Sequence, residues 1–344
     1  MTGPTRTGRW RLLVSVVILA ALGTAWAWWA EGHPRDERRL RVLVHDHLQQ
    51  WFPQAMDPDD GWHGLFPKVP VSAATQAHVV LVHGLDEPGT IWEDLIPALA
   101  EAGAAVWEFR YPNDQGLDRD VESLARHWPA LPADRPVVLV GHSMGGLVIR
   151  DFVSGWRHPV GQPPRVAGAP VAGVILGGTP NHGSEWARLR VWLELRDQLH
   201  LGTDRPYSLF AALRDGTGEA KIDLRPGSDF LNALNTRPWP REVPILLIGG
   251  ELAPAPARRA GITQAAAATG SAALGEALDA WWSGLSQGLG DGVVTLDSIT
   301  LPEAPPPVVL AASHRGLFLR LLPGDPQPPA IPHVIAAVRA WTGH

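Results

Sequence analysis

The run VVLVGHSMGGLVIRDF, residues 137–152, joins four consecutive apolar residues to a helix-like segment through Gly141-His142-Ser143-Met144-Gly145. Aliphatic residues without polar alternation fit a strand buried on both faces, and GLVIRDFVSGW behind the turn fits a helix. Glycines close to Ser143 let the backbone reverse tightly, so the serine hydroxyl is expected to stand clear of the strand's carboxyl end. The amino terminus of the following helix would then favour a developing anion. Strand, tight turn at a serine and helix, in that order, call for a sheet with crossover helices.

Five more short apolar runs, at residues 78–82, 104–109, 171–176, 244–248 and 307–311, repeat the strand pattern. Helix-length segments such as 92–102 and 117–128 separate them, so the expected fold class is α/β, with a mostly parallel central sheet and helices on both faces. This main unit is expected over residues 77–344. Two connections are too long for simple crossovers, at about 184–239 and 251–290, and are read as inserted cap or lid segments. Ordinary peripheral packing is the plainer alternative for both.

The chain of 344 residues has 45% hydrophobic and 19% charged residues, enough to bury a core. It has no cysteine, which removes disulfide scaffolds, thiolate zinc sites, iron–sulfur ligation and a cysteine nucleophile. A formal charge of -6 argues against a general nucleic-acid binder. Tryptophan is the oddity: 16 residues against Tyr 2 and Phe 7. Three of them, Trp26, Trp28 and Trp29, close an uncharged stretch over residues 12–30 that follows the basic flank 1–11 with Arg6, Arg9 and Arg11. As a helix this stretch would span roughly 28 Å, with interfacial indoles at its far end, so residues 12–30 are expected to form a transmembrane signal anchor. The alternative is a signal peptide cleaved near Ala27, because Ala25, Trp26 and Ala27 form an A-x-A pattern, although bulky residues follow it. The expected localisation is therefore a single-pass membrane protein with the catalytic part outside the cytoplasm, or a secreted form after cleavage. Residues 31–76 read as a juxtamembrane helix over 34–50 followed by a linker, where MDPDDGW and FPKVP supply breakers.

A serine hydroxyl needs a base to take its proton and a carboxylate to hold that base in the right tautomer. Asp291 lies past the fifth run and His314 past the sixth, both expected at the same sheet edge as Ser143. Asp297 and Glu303 are weaker candidates for the acid, and His333 and His344 for the base, because their contexts fit strand ends or turns less well. His83-Gly84-Leu85 follows the run at 78–82, so the main-chain N–H groups of Leu85 and Met144 can face one oxygen as an oxyanion hole. The His83 side chain is read as structural, bonded to loop backbone, rather than acid–base. Thr179-Pro180-Asn181-His182-Gly183 reads as a rigid pocket wall. No spacing among His182, Asp204, Asp215, Asp223 and Asp229 isolates a metal-ligand set. The glycine-rich dinucleotide and P-loop patterns are lacking as well. No metal or cofactor is expected.

The segments VVLVHGL, FRYPNDQG, VVLVGHSMGGLVIRDF, GVILGGTPNHGS, DFLNALN, DGVV and SHRGL together resemble the lipase/esterase branch of the α/β-hydrolase superfamily, including bacterial triacylglycerol lipases and GPI-inositol-deacylase-like hydrolases. The resemblance implies an α/β-hydrolase fold with Ser143 as nucleophile, Asp291 as acid, His314 as base, and Leu85 and Met144 as oxyanion donors. It also implies a serine hydrolase of carboxylic esters with an apolar acyl group, working through an acyl-enzyme. A thioesterase, amidase or acyltransferase could use the same triad, and a non-catalytic membrane-bound interaction protein could use the same scaffold. The expected partners are an acyl ester, small or lipid, and the bilayer. The sequence carries no signal for an oligomeric state.

Overall fold

The computed structural model describes residues 6–53, 56, 62–72, 75–85, 87, 89–189, 217–252 and 289–343. Among them seven strands form one sheet: β1 (Gly64–Val69), β2 (Ala77–Val82), β3 (Ala104–Arg110), β4 (Val137–His142), β5 (Val171–Gly177), β6 (Ile245–Glu251) and β7 (Val308–Ala311). Their order is β1-β3-β2-β4-β5-β6-β7, parallel throughout except for β1, which runs antiparallel to β3. All six expected runs are strands. The seventh, β1, comes from the segment read as a linker. Its Pro67 has no N–H for a central ladder, but an edge strand tolerates that, and the register shifts between Pro67 and Val69.

The helices are α1 (Arg6–Gly32), α2 (Pro34–Trp51), α3 (Leu95–Glu101), α4 (Leu117–His127), α5 (Met144–Asp151), α6 (Glu219–Asp223), α7 (Asp229–Asn235), α8 (Leu296–Ile299) and α9 (Ala330–Thr342). They cover both faces of the sheet. Val80, Val82, Val137 and Leu139 face the layer of α4 and α5, whereas Val79, Leu81, Val138 and Val140 face α3 and α9. The strands thus alternate in direction but not in polarity. Each such aliphatic side chain contributes about 1.5–3 kcal/mol on burial. The chain leaves β2 for β3 on one side and then returns to β4 on the other. That reversal opens a crevice at the carboxyl ends of β2 and β4, where open α/β sheets bind ligands.

The amino-terminal helices bear on one expectation. Residues 12–30 lie within α1, but among the described residues no helix is long and apolar enough to cross a membrane, so the transmembrane anchor is not supported. The carboxyl end of α1 is tied to the rest of the chain: Ala30 is fully buried and Glu31 Oε2 lies 3.3 Å from the guanidinium of Arg225.

The helix expected over 34–50 is α2, started by Pro34 after His33, with Asp36 and Glu37 in its first turn. It straps α4 to α6. Arg38 reaches both oxygens of the buried Asp223, at 2.7 and 3.1 Å, and Asp118 at 2.9 Å. Asp223 in turn accepts from Leu117 N at the start of α4, at 3.1 Å. Of the two expected insertions, residues 190–216 and 253–288 lie outside the described residues, with Trp192, Asp204, Asp215, Trp281 and Trp282 among them.

Asp120 of α4 is fully buried; Oδ1 accepts from Gln115 Nε2 at 2.8 Å and Oδ2 has no partner among the described residues. Burial, and then the neighbouring Asp118, Asp223 and Glu219, push its carboxyl well above the usual range, against the Gln115 hydrogen bond. The native state therefore holds a proton that the unfolded chain releases. The associated stability is complete below the unfolded pKa of about 3.9 and declines as pH rises towards the native value. Asp120→Asn is expected to be progressively more heat-stable than the parent from pH 4 to 8, by a few °C for each kcal/mol. A melting-temperature difference that stays flat with pH would refute this.

Candidate active site

Ser143 follows the last residue of β4 with φ 54 and ψ -127, and among the described residues it is the one non-glycine with positive φ. Such a conformation costs about 1–3 kcal/mol and persists only where the surroundings fix it. Here Ser143 N–H donates to the carbonyl of Gly177 at the end of β5, 2.9 Å away, and Gly146 N–H donates to Ser143 O at 3.1 Å. The neighbouring glycines are close-approach positions. A Cβ on Gly145 would meet the carbonyl oxygens of Val82 and His83, one on Gly146 the Thr179 side chain, and one on Gly141 would lie 2.7 Å from Gly146. The helix therefore sits against β2 and β4 with no room for a methyl group.

The structure brings His314 to Asp291. Nδ1 of His314 lies 2.7 Å from Asp291 Oδ2, and His314 N–H donates to the Asp291 carbonyl at 2.9 Å. A carboxylate accepts, so Nδ1 carries the proton and Nε2 is left as the basic nitrogen. The other carboxylate oxygen, Oδ1, accepts from Val293 N at 2.9 Å and Val294 N at 2.8 Å, so the fully buried Asp291 side chain is held by three donors. The alternatives Asp297 and Glu303 are exposed.

Both halves meet at the end of β5. Gly177 receives the Ser143 N–H, while a Cβ on Gly178, at φ +58, would lie 3.0 Å from His314 Nδ1 and 3.1 Å from Asp291 Oδ2. His142, next to the serine, holds the His314 loop from the other side. Its Nε2 donates to the His314 carbonyl at 3.1 Å and the two rings are 4.6 Å apart. Burial first, and then His314, push the His142 pKa well down, so its ring is neutral.

Leu85 and Met144 lie on the neighbouring loops after β2 and β4. Met144 is the first residue of α5, so its N–H has no acceptor within the helix. Gly84 brings the first loop against the serine: a Cβ there would come 2.8 Å from Ser143 Cβ.

Residues 79–341 match the model of the Alpha/beta hydrolase family. The chain belongs to that family. Solved structures with similar folds include Bacillus licheniformis lipase BlEst2 in its propeptide form, at TM-score 0.52 and 19% identity over 79% of this chain. The match covers 53% of the BlEst2 chain, so this protein spans about half of that length. The metagenomic carboxyl esterase MGS0156 matches at TM-score 0.51 and 20% identity, over 78% of this chain and 76% of its own. A mutant of YbtT, the type II thioesterase of the yersiniabactin pathway, matches at TM-score 0.50 and 15% identity, over 81% and 99%. At such identities the likeness concerns the fold. No curated protein matches the sequence.

In this alpha/beta hydrolase the TPNHG loop after β5 is tied down by residues that sequence reading did not single out. Arg150 of α5 donates to Asn181 Oδ1 at 3.1 Å and to Asn235 Oδ1 of α7 at 3.0 Å, and Asn235 Nδ2 donates back to Asn181 O at 2.9 Å. Asn181 Nδ2 reaches the carbonyl of Ile299 in α8 at 2.6 Å. The network fixes the loop from α5, the helix that follows Ser143. Burial lowers the Arg150 pKa to about 10, and the side chain remains cationic at neutral pH. Among the described residues no group of three or more His, Asp or Glu could hold a metal ion.

Proposed function

We propose that this protein is a serine hydrolase of carboxylic esters with an apolar acyl group, using Ser143, His314 and Asp291 with Leu85 and Met144 as oxyanion donors. Ser143 Oγ attacks the acyl carbonyl while His314 Nε2 takes its proton. The carbonyl oxygen becomes an oxyanion that accepts from the N–H groups of Leu85 and Met144. On collapse the bond to the alcohol breaks, and His314 returns the proton to the departing oxygen. Water, deprotonated by His314 in its turn, releases the acid and restores Ser143. Asp291 keeps the imidazole proton on Nδ1 and offsets the imidazolium charge.

The observation that carries this reading is the shared footing at the end of β5, where Gly177 binds the strained serine and Gly178 abuts the paired base and acid. The apolar acyl preference is supported by Leu85 and Val293, both packed onto the core beside the site, and, at the level of fold, by the lipase and carboxyl esterase named above.

The test is to treat the full chain with a fluorophosphonate probe and with p-nitrophenyl esters of increasing acyl length, beside Ser143→Ala. Labelling at Ser143, turnover that rises with acyl length, and loss of both in S143A are expected. An unlabelled parent, or S143A labelled as well as the parent, would overturn the assignment, and turnover of thioesters alone would overturn the leaving group.

A further inference from the structure

We propose that His83 is a positioning residue for the oxyanion hole: its Nδ1–H anchors the Gly84 carbonyl and thereby aims the Leu85 N–H at the space beside Ser143. This rests on the ester-hydrolase reading above. The Gly84 carbonyl and the Leu85 N–H belong to one peptide unit, planar and trans, so they point in opposite directions and turning one turns the other. His83 Nδ1 lies 2.9 Å from Gly84 O. A carbonyl oxygen only accepts, so Nδ1 bears the proton. The bond also polarises the amide and makes its N–H a stronger donor.

A second anchor sits one peptide earlier. The Tyr111 hydroxyl donates to the carbonyl of His83 itself at 2.5 Å. Its ring stacks on the His83 ring at 4.6 Å and on Phe109 at 5.1 Å. Burial holds the Tyr111 phenol well above its usual pKa, so it stays a donor. Two successive carbonyls of the oxyanion loop are thus pinned, His83 O by Tyr111 and Gly84 O by His83. On the opposite side the bare Cα of Gly84 leaves nothing between the loop and Ser143, since a Cβ would come 3.4 Å from Oγ. This accounts for the histidine of HGL and the tyrosine of FRYP, neither of which touches the reacting atoms.

Two variants separate the hydrogen bond from the packing. His83→Phe keeps a ring on Tyr111 without a donor, whereas His83→Asn places an amide N–H near the position of Nδ1 without the ring. Loss of an oxyanion donor costs about 10²–10³ in kcat, and loss of its aim is expected to cost roughly 10–100-fold in H83F with KM within about threefold. H83N is expected to recover most of that loss. The specific readout is a trifluoromethyl ketone: Ser143 adds to its carbonyl carbon, the serine proton passes to His314, and the former carbonyl oxygen carries the negative charge. Its inhibition constant should rise in H83F in parallel with the fall in kcat/KM, while the pH profile of kcat/KM keeps its shape. In ¹⁵N-labelled parent protein, the His83 imidazole should carry its proton on Nδ1.

A folded, active H83F with parental kcat and ketone affinity would overturn this proposal alone, and so would a His83 protonated only on Nε2. A parent without esterase activity would sink the hydrolase reading and this one together. A loss in H83F that follows its melting temperature, with H83N no better, would make His83 a packing residue and overturn the positioning role.

Discussion

Asp291→Asn is expected to lower kcat for ester hydrolysis by roughly 10⁴-fold with little change in KM. The substitution is nearly isosteric, and the asparagine oxygen can keep accepting from Val293 N and Val294 N, so the turn and the fold are expected to persist. The amide nitrogen then replaces Oδ2, the atom that takes the His314 Nδ1 proton at 2.7 Å. A nitrogen that donates makes Nδ1 the acceptor, which moves the imidazole proton to Nε2. A protonated Nε2 cannot accept from Ser143, and the nucleophile loses its base without any group leaving the site. The measurement is steady-state kinetics beside Asp297→Asn and Glu303→Gln, whose exposed carboxylates should leave kcat within about twofold. A loss below tenfold in D291N would mean that Asp291 does not set the tautomer.

Gly145→Ala is expected to be strongly damaging, lowering stability by on the order of 3 kcal/mol and the melting temperature by roughly 10 °C. The added Cβ meets the carbonyls of Val82 and His83, which are backbone atoms of β2 and of the oxyanion loop. No side chain can swing away to make room. Either α5 lifts from the sheet, carrying the Met144 N–H with it, or the oxyanion loop is pushed aside, and activity falls in both cases. Gly161→Ala is the control: at φ +72 with no atom within 4 Å of a Cβ, it carries only the left-handed backbone penalty of about 1–2 kcal/mol. Urea titration of the two variants orders them, and equal midpoints would contradict the close-approach argument.

Much of this fold is legible in the sequence because its central strands are buried on both faces. A run such as VVLV in β2 or β4 cannot be an amphipathic surface strand, and a glycine-flanked serine behind one of them leaves few architectures open. The edge strand β1 escaped because Pro67 breaks the pattern that marks central strands, although the proline costs nothing where no neighbour needs its N–H. Residues 12–30 have the uncharged length of a membrane span, but the described residues support no spanning helix, and sequence length says nothing of Ala30 and Glu31 being engaged by the rest of the chain. The pairing of Asp291 with His314 could be guessed from their places after strand ends. The Arg150–Asn181–Asn235 network could not: its members are 31 and 85 positions apart and belong to a loop and two helices. Polar contacts of that kind obey no period, and only the folded chain brings them together.

The glycine pair at the end of β5 has a mechanical meaning. Because Gly177 grips the serine backbone and Gly178 rests against the imidazole and its carboxylate, a displacement of that strand end carries donor and acceptor in the same direction. In the proposed mechanism the span that the proton crosses is therefore set by one strand end rather than by two separate loops.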